Sequence, residues 1–427
     1  MTIPQLYDIY LQYPSVQTDT RNIKNGDIFF ALKGPHFNGN SFAAKALELG
    51  AQFAIIDEPA FYINEHTILV DNVLSTLQQL ARHHRQQFDI PFIGITGSNG
   101  KTTSKELVTA VLKQKFVTYA TEGNLNNHIG VPLTLLKIKK DAQMAVIEMG
   151  ANHQKEIASY CEIALPNYAV INNCGKAHIE GFGGIEGVKK GKGELYDYIR
   201  EAKGAIFINA DLPYLAEMSM GIDKQISYGT HNAQYLGRIK EQNLLLHLSV
   251  DSDQGAVEIQ TNLVGEYNVP NVLLAVAVGS FFGINIQDIK SAIEAYEPDN
   301  SRSQFVSKGS NQIILDAYNA NPTSMRAAIN NFSKIEGPKI LFLGAMKEMG
   351  AEEFAEHHEL VTFIQQWNWQ LVLLVGNEFK AAKQNHLWFE DADLAAQYIA
   401  NNKPQDALIL IKGSRGSKME KLLEVLG

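Results

Sequence analysis

Cysteine is scarce in this chain of 427 residues: Cys161 and Cys174 are the only two. That number excludes a disulfide framework, and their spacing fits neither a zinc site nor a Cys-x-x-Cys redox pair, so both read as ordinary buried thiols. No window supplies the roughly 20 consecutive apolar residues of a membrane-spanning helix. The opening Met1-Thr2-Ile3-Pro4-Gln5-Leu6 lacks the basic cluster and apolar core of an export signal. A cytoplasmic location without membrane insertion is the expectation. Excess positive charge is missing as well: 37 basic against 46 acidic residues leave a formal charge of -9, which argues against nucleic acid or an anionic membrane as a partner. Any anion has to be held by local groups. Repeats and low-complexity tracts are also lacking, so domain boundaries have to be read from changes in pattern.

At roughly 150 residues per domain, the length predicts about three domains, each able to bury its own core. With 45% apolar and 19% charged residues, the chain should be folded nearly throughout. A charged helical stretch over 80–87 runs into Pro91-Phe92-Ile93-Gly94-Ile95-Thr96, which reads as a buried strand. Strands are then predicted over 116–120, 144–149, 168–171 and 205–208 with helices between. That alternation means a parallel sheet covered on both faces, with ligands beyond the carboxyl ends of its strands. The stretch Tyr296-Glu297-Pro298-Asp299-Asn300-Ser301 has linker chemistry. Beyond it, strands are expected over 312–315, 339–343, 371–375 and 407–411. The predicted fold is α/β in three domains: a small N-terminal one over 1–84, a central parallel-sheet domain over 85–299, and a C-terminal Rossmann-like domain over 300–427.

The strongest local signal is Gly94-Ile95-Thr96-Gly97-Ser98-Asn99-Gly100-Lys101-Thr102-Thr103, set between that strand and a helix with apolar positions Leu107, Val108, Val111 and Leu112. Glycines here let backbone N–H groups face phosphate oxygens. Lys101 supplies a cation for the β and γ phosphates, and Thr102 a hydroxyl for Mg²⁺. The strict P-loop spacing would place the first glycine at Ile95, so the loop is a variant. Gly97, Ser98, Asn99, Gly100, Lys101, Thr102 and Thr103 are the predicted ATP contacts.

Other segments are less specific. Glu148 ends an apolar strand at the same sheet edge. A solvated strand-end glutamate is the plainer account in isolation, but beside a phosphate loop a Mg²⁺ ligand is favoured. His178 stands alone among small residues, and Lys189, Lys190 and Lys192 read first as a solvated helical face. Asn124, Asn126 and Asn127 lie in a loop that suits either turn formation or recognition of a polar ligand. Asp316-Ala317-Tyr318-Asn319-Ala320-Asn321-Pro322 and Lys412-Gly413-Ser414-Arg415-Gly416 follow strands. They are either helix entries or a second ligand surface.

Taken in this order, the motifs resemble the Mur ligase family, the amide-forming ligases of peptidoglycan precursor assembly, from end to end. The segments 318–325 and 412–416 are similar to the branch that joins D-alanyl-D-alanine to UDP-N-acetylmuramoyl-tripeptide. The N-terminal segments 18–21, 26–34 and 37–42 resemble the family's uridine-nucleotide-binding domain. The resemblance implies that Thr20, Arg21, Lys33, Gly34 and Asn40 contact the UDP end, that Asn124, Asn126 and Asn127 handle the muramoyl-peptide side, and that Tyr318, Asn319 and Asn321 meet substrate. It implies ATP contacts for Asn268, Asn271, Arg302 and Asp316, and catalytic roles for Lys101, His178 and Lys192. It further implies two Mg²⁺ ions held by Thr102, Glu148, His178 and a Lys192 carbamylated by CO₂, in a monomeric enzyme. The sequence departs from the family pattern at Tyr267, Ser301, Leu315 and Ala345, which touches nucleotide and dipeptide contacts rather than the reaction.

The implied reaction transfers the γ-phosphoryl group of ATP to a peptide carboxylate, whose acyl phosphate is then attacked by the dipeptide amine. Two other readings remain at this point. A folylpolyglutamate synthetase-like ligase would share the central domain without the N-terminal segment. A P-loop kinase or NTPase would need neither the asparagine loop nor the 178–192 segment.

Overall fold

A computed structural model of the chain describes residues 1–241, 244–253, 255–298 and 301–426. Asp299 and Asn300, at the second expected boundary, lie outside the described residues.

The first helix, Ile3–Gln12, begins where Thr2 and Gln5 form a capping box and Pro4 presets the first turn. It is followed by a parallel sheet of four short strands, Val16–Gln17, Ile28–Phe30, Phe53–Ile56 and Thr67–Leu69. A small hairpin pairs Lys33–Gly34 with Phe37–Asn38. The Phe37 ring packs over Gly34, where a Cβ would fall 2.3 Å from it unless the exposed ring moved. Helix Val73–Arg85, capped by Asn72, carries the chain into the next sheet.

Nine strands make the central sheet. Phe92–Thr96, buried at every position, lies between Met144–Glu148 and Tyr168–Ile171 and runs parallel to both. The chain leaves it toward one edge and returns on its other side. Winding therefore reverses at its carboxyl end, where open α/β sheets bind ligands. Thr118–Ala120 closes one edge. On the other side Ala205–Asn209, Lys224–Gly229 and Tyr235–Glu241 continue the parallel run. Leu245–Ser252 and Gly255–Val264 then extend it antiparallel. The parallel run is as expected, and the end beyond it is an antiparallel meander that was not predicted, whose buried Leu246, Leu248, Val250 and Ile259 alternate with more exposed residues in the period-2 pattern of a one-sided sheet.

The C-terminal sheet has six strands in the order Gln304–Lys308, Asn311–Asp316, Leu408–Lys412, Lys339–Gly344, Leu371–Val375 and Leu387–Phe389. All pairs are parallel except the first.

The N-terminal unit buries one cluster of its own, around Phe29, Ala54 and Ile56, but its other face is shared. Leu6, Tyr10, Leu77 and Leu80 of the N-terminal segment share one buried cluster with Val131, Leu135, Tyr160 and Cys161 of the central one. The Tyr10 hydroxyl reaches the Leu136 carbonyl, and Arg85, buried and stacked 3.6 Å from the Phe92 ring centre, donates to the carbonyls of Ala164 and Leu165. A four-stranded sheet this small cannot cover both its own faces, and the neighbour supplies the missing apolar surface. Cys161 and Cys174 are free and buried, and among the described residues no helix is long and apolar enough to cross a membrane.

Candidate active site

A cleft of about 830 Å³ opens where the carboxyl edge of the central sheet faces the C-terminal sheet. Its floor is the loop after Phe92–Thr96. Gly97 and Gly100 have φ of 152° and 78°. A Cβ on Gly97 would lie 2.9 Å from Asn172 Cβ, and one on Gly100 would lie 2.6 Å from Asn271 Oδ1. Both positions therefore demand glycine for space, and Gly100 for its left-handed backbone too. Helix Lys101–Leu112 starts here and buries Leu107, Val108, Val111 and Leu112 beneath the sheet. Its amino end, with unpaired N–H groups and positive dipole end, points at the cleft. The Lys101 ammonium folds back onto the Gly97 carbonyl at 2.6 Å. Desolvation lowers its pKa, nearby Glu148 raises it, and Arg302 lowers it further.

Glu148, 1% exposed, ends its strand with its own N–H bonded to Thr121 Oγ1. Its Oε1 accepts from Thr102 Oγ1 at 3.2 Å and from Asn126 Nδ2 at 2.7 Å. Its Oε2 is buried without a partner. A buried carboxylate oxygen left unpaired is costly unless a cation completes it, so the Thr102–Glu148 pair fits a Mg²⁺ ion. Among the described residues no three His, Cys, Asp or Glu side chains cluster as a metal site. A cation here would draw its remaining oxygens from water and from the phosphates, as Mg²⁺ commonly does.

Behind the loop runs a chain of side-chain hydrogen bonds that the sequence reading missed. Asn172 Nδ2 donates to Ser104 Oγ at 2.8 Å, Ser104 Oγ to Asn271 Oδ1 at 2.9 Å, and Asn271 Nδ2 to Asn268 Oδ1 at 2.8 Å. Asn268 Nδ2 ends it on the Val264 carbonyl. Asn268 and Asn271 do line the cleft, yet their amides are largely spent on this chain.

Asn124, Asn126 and Asn127 all reach the cleft wall. Asn126 is committed to Glu148, while Asn127 Oδ1 accepts from the N–H groups of Ile129 and Gly130 and shapes the loop. His178 also lines the cleft, and its Nδ1 meets Glu348 Oε2 of the C-terminal unit. Lys192 sits behind the wall. It is 1% exposed, and its ammonium donates to the Ala151 carbonyl at 3.2 Å, 5.0 Å from the Phe182 ring centre. The solvated-face reading of Lys192 is corrected, because its turn of helix Ile185–Ala202 faces inward. Burial, and then the charge of Lys101, pull its pKa down to about 7. Exposed Lys190 keeps the solvated role.

The C-terminal wall is built from Arg302, Asp316, Tyr318, Asn319, Lys412 and Arg415. The Arg302 guanidinium lies 3.7 Å from the Tyr318 ring centre, with Arg415 at 5.6 Å from the same ring. Asp316 faces the cleft, but its carboxylate is bound by buried Lys412. Asn321 caps helix Pro322–Ser333 and reaches the phosphate loop, its Nδ2 2.7 Å from Asn99 Oδ1. The Tyr267 hydroxyl shares a 2.9 Å hydrogen bond with Ser303 Oγ, so this departure from the family pattern ties the two units together.

The N-terminal candidates lie elsewhere. Thr20 opens a 3-10 turn capped by Asp19, and Arg21 pairs with that aspartate beside a separate cavity of about 490 Å³ lined also by Gln17, Asn22, Ile23 and Lys24. Lys33 pairs with Asp57 at 3.0 Å and Glu58 at 3.4 Å. Among these N-terminal candidates Asn40 is corrected. It is fully buried, donates to Asn38 and Asp57, and accepts from the Asp57 N–H. It braces the loop instead of offering itself to a ligand.

Three family models match the chain in tandem: Mur ligase family, catalytic domain, over residues 12–85; Mur ligase middle domain over 95–279; and Mur ligase, glutamate ligase domain, over 301–415. The UDP-N-acetylmuramoyl-tripeptide–D-alanyl-D-alanine ligase of Bacillus subtilis is 35% identical, covering 96% of this chain and 92% of its own. This chain belongs to the Mur ligase family. The same-named ligase of Escherichia coli is 32% identical over 100% of this Mur ligase and 98% of its own length. Among solved structures, MurF from Acinetobacter baumannii superposes with a TM-score of 0.88 at 33% identity, covering 96% of this chain and 93% of that one. MurF ligase from Thermotoga maritima, in complex with ADP, gives 0.87 at 26% identity over 97% of each chain. The three-domain architecture of the Mur ligases is thus present throughout.

Proposed function

We propose that this Mur ligase uses ATP to join D-alanyl-D-alanine to UDP-N-acetylmuramoyl-tripeptide, forming an amide bond in peptidoglycan precursor synthesis. The observation that carries this reading is the cleft itself. Lys101, Thr102 and Glu148 of the central unit face Arg302, Tyr318 and Asn319 of the C-terminal unit across one space, in a chain related along its whole length to ligases of that name.

A peptide carboxylate resists attack by an amine because its charge is delocalised and its leaving group would be oxide. In the proposed reaction a carboxylate oxygen attacks the γ-phosphorus, ADP departs, and an acyl phosphate results. The dipeptide's neutral amine then attacks the acyl carbon, phosphate leaves, and the nitrogen loses its extra proton. Lys101 and the N–H groups of the phosphate loop neutralise the transferring group. Thr102 and Glu148 would hold Mg²⁺, which would supply neutralisation of phosphate charge. Arg302, steadied on Tyr318, adds a second fixed cation near Lys101. Closure of the C-terminal unit over the cleft excludes the water that would hydrolyse the acyl phosphate.

His178 and Lys192 are read as the holders of a second Mg²⁺, with Lys192 carbamylated. CO₂ adds only to a neutral amine, and an amine buried without a carboxylate partner among the described residues, its pKa near 7, supplies one. The product, Lys–NH–COO⁻ plus a released proton, exchanges a buried cation for an anionic oxygen ligand. Lys192→Ala should lose turnover, with partial rescue by a small carboxylic acid and none by bicarbonate; unchanged turnover would dismiss the carbamate. Asn124 and Asn127 are assigned to the muramoyl-peptide side, and Tyr318 and Asn319 to substrate in the C-terminal wall; Asn321, expected to meet substrate, is buried outside that wall with its side chain committed to Ser324 and Asn99. Thr20, Arg21, Lys33 and Gly34 are assigned to the UDP end. The enzyme is read as a cytoplasmic monomer whose partners are these small molecules, with no nucleic acid and no membrane insertion. Incubation with ATP, UDP-N-acetylmuramoyl-tripeptide and D-alanyl-D-alanine should yield the corresponding pentapeptide by mass. Equal product with L-glutamate in place of the dipeptide would favour a different ligase.

A further inference from the structure

Residues 175–180, between strand Tyr168–Ile171 and helix Ile185–Ala202, belong to the central unit but are held by the C-terminal one. The Lys176 N–H donates to Thr323 Oγ1 at 3.0 Å, and its ammonium meets buried Glu356. Ile179 is buried in the same apolar cluster as Met346 and Met349. Gly350 packs so closely that a Cβ there would stand 3.1 Å from Glu180 Cγ. At the centre of this contact His178 Nδ1 meets Glu348 Oε2. Both partners have left-handed backbone, His178 at φ 54° and Glu348 at φ 63°. Non-glycine residues adopt that conformation at a cost and keep it where their surroundings fix it, often at functional sites.

An ionised carboxylate can only accept a hydrogen bond, so His178 Nδ1 carries a proton, and in the neutral ring Nε2 keeps its lone pair. Nε2 makes no hydrogen bond among the described residues, and the ring lines the cleft. A histidine that binds a metal is commonly held in this way, its second nitrogen donating to a carboxylate that fixes both tautomer and ring orientation. Here the carboxylate comes from a different unit than the histidine. We propose that Glu348 is a positioning residue for His178, fixing its Nδ1–H tautomer across the domain boundary so that Nε2 is ready for a cation where the two units meet. This rests on the reading of His178 as a Mg²⁺ ligand.

The test uses the full chain, free of metal and nucleotide, with ¹⁵N-labelled histidine; His178 signals are assigned by their loss in His178→Asn. The wild type should show the Nδ1–H tautomer. Glu348→Ala should move it to the Nε2–H form, while Glu348→Gln, whose amide oxygen accepts the same bond, should keep it. Glu348→Asp, one methylene short, should behave like alanine and serves if the alanine variant does not fold. In turnover, alanine or aspartate should raise the Mg²⁺ requirement or lower kcat by about 10- to 100-fold, with glutamine near wild type and KM for D-alanyl-D-alanine unchanged. An unchanged tautomer in both shortened variants overturns the proposal, as does a changed tautomer with wild-type Mg²⁺ dependence and kcat. His178→Asn with undiminished turnover would instead overturn the ligand reading beneath it.

Discussion

Asn321 serves two elements with one side chain. Its Oδ1 accepts the Ser324 N–H to cap helix Pro322–Ser333, and its Nδ2 donates to Asn99 Oδ1 in the phosphate loop, 222 residues away. Asn321→Asp keeps the cap and loses the donor, placing acceptor against acceptor. Asn321→Ala loses both. The aspartate variant should melt near the wild type with reduced kcat, whereas alanine should also lose about 1 kcal/mol of stability. Thermal unfolding and turnover, measured together, separate the two roles.

Gly100→Ala should abolish nucleotide binding while leaving the sheet intact. The new Cβ would meet Asn271 Oδ1 at 2.6 Å on a left-handed backbone, straining the turn by about 1–2 kcal/mol and pushing the amide chain behind it. Calorimetric titration with ADP checks this; retained affinity would mean that the loop adopts another path around phosphate.

Glu148→Gln should raise the Mg²⁺ concentration needed for half-maximal turnover by at least about tenfold, because a neutral amide replaces the carboxylate whose Oε2 is left unpartnered. The Asn126 and Thr102 contacts are to Oε1, so the fold should tolerate the change. A Mg²⁺ titration of initial rates decides it.

Lys192 should cost stability as well as support function. Its pKa falls from the usual lysine value of 10.5 to about 7 in the folded chain. Between those values the unfolded chain binds a proton that the folded one does not, so stability rises with pH across this window and is lowest below pH 7. The slope contributed is about 1.4 kcal/mol per pH unit at its steepest. Lys192→Met should remove that slope and melt higher at neutral pH while losing turnover. Denaturant unfolding at pH 7, 8.5 and 10 tests the sign.

Much of the core was legible because buried parallel strands are continuous apolar runs. Phe92–Thr96, Met144–Glu148, Tyr168–Ile171 and Ala205–Asn209 lie where the pattern places them, within a residue or two. Thr118–Ala120 starts two residues later than expected, because the Phe116 N–H still closes the helix exit on the Leu112 carbonyl and the Val117 N–H goes to the Gln143 side chain. The meander over 235–264 was not legible: its strands are half exposed and interrupted by polar residues, so no apolar run marks them. At the site, glycine spacing and a strand-end acid identify the phosphate loop and Glu148. Glu348 and Ser104 escaped because their meaning lies in a partner far along the chain, as with His178 and Glu348, 170 residues apart. Asn40 misled for the complementary reason: a motif asparagine can serve its own loop, and only burial reveals it.

The central claim is that ATP cleavage is tied to joining two particular substrates. Phosphate release should be measured with ATP and Mg²⁺ alone, with UDP-N-acetylmuramoyl-tripeptide or D-alanyl-D-alanine added singly, and with both. The account predicts release only with both present, in equal amount to the amide formed, and lost in Lys101→Ala. Release at the same rate with neither substrate would contradict it.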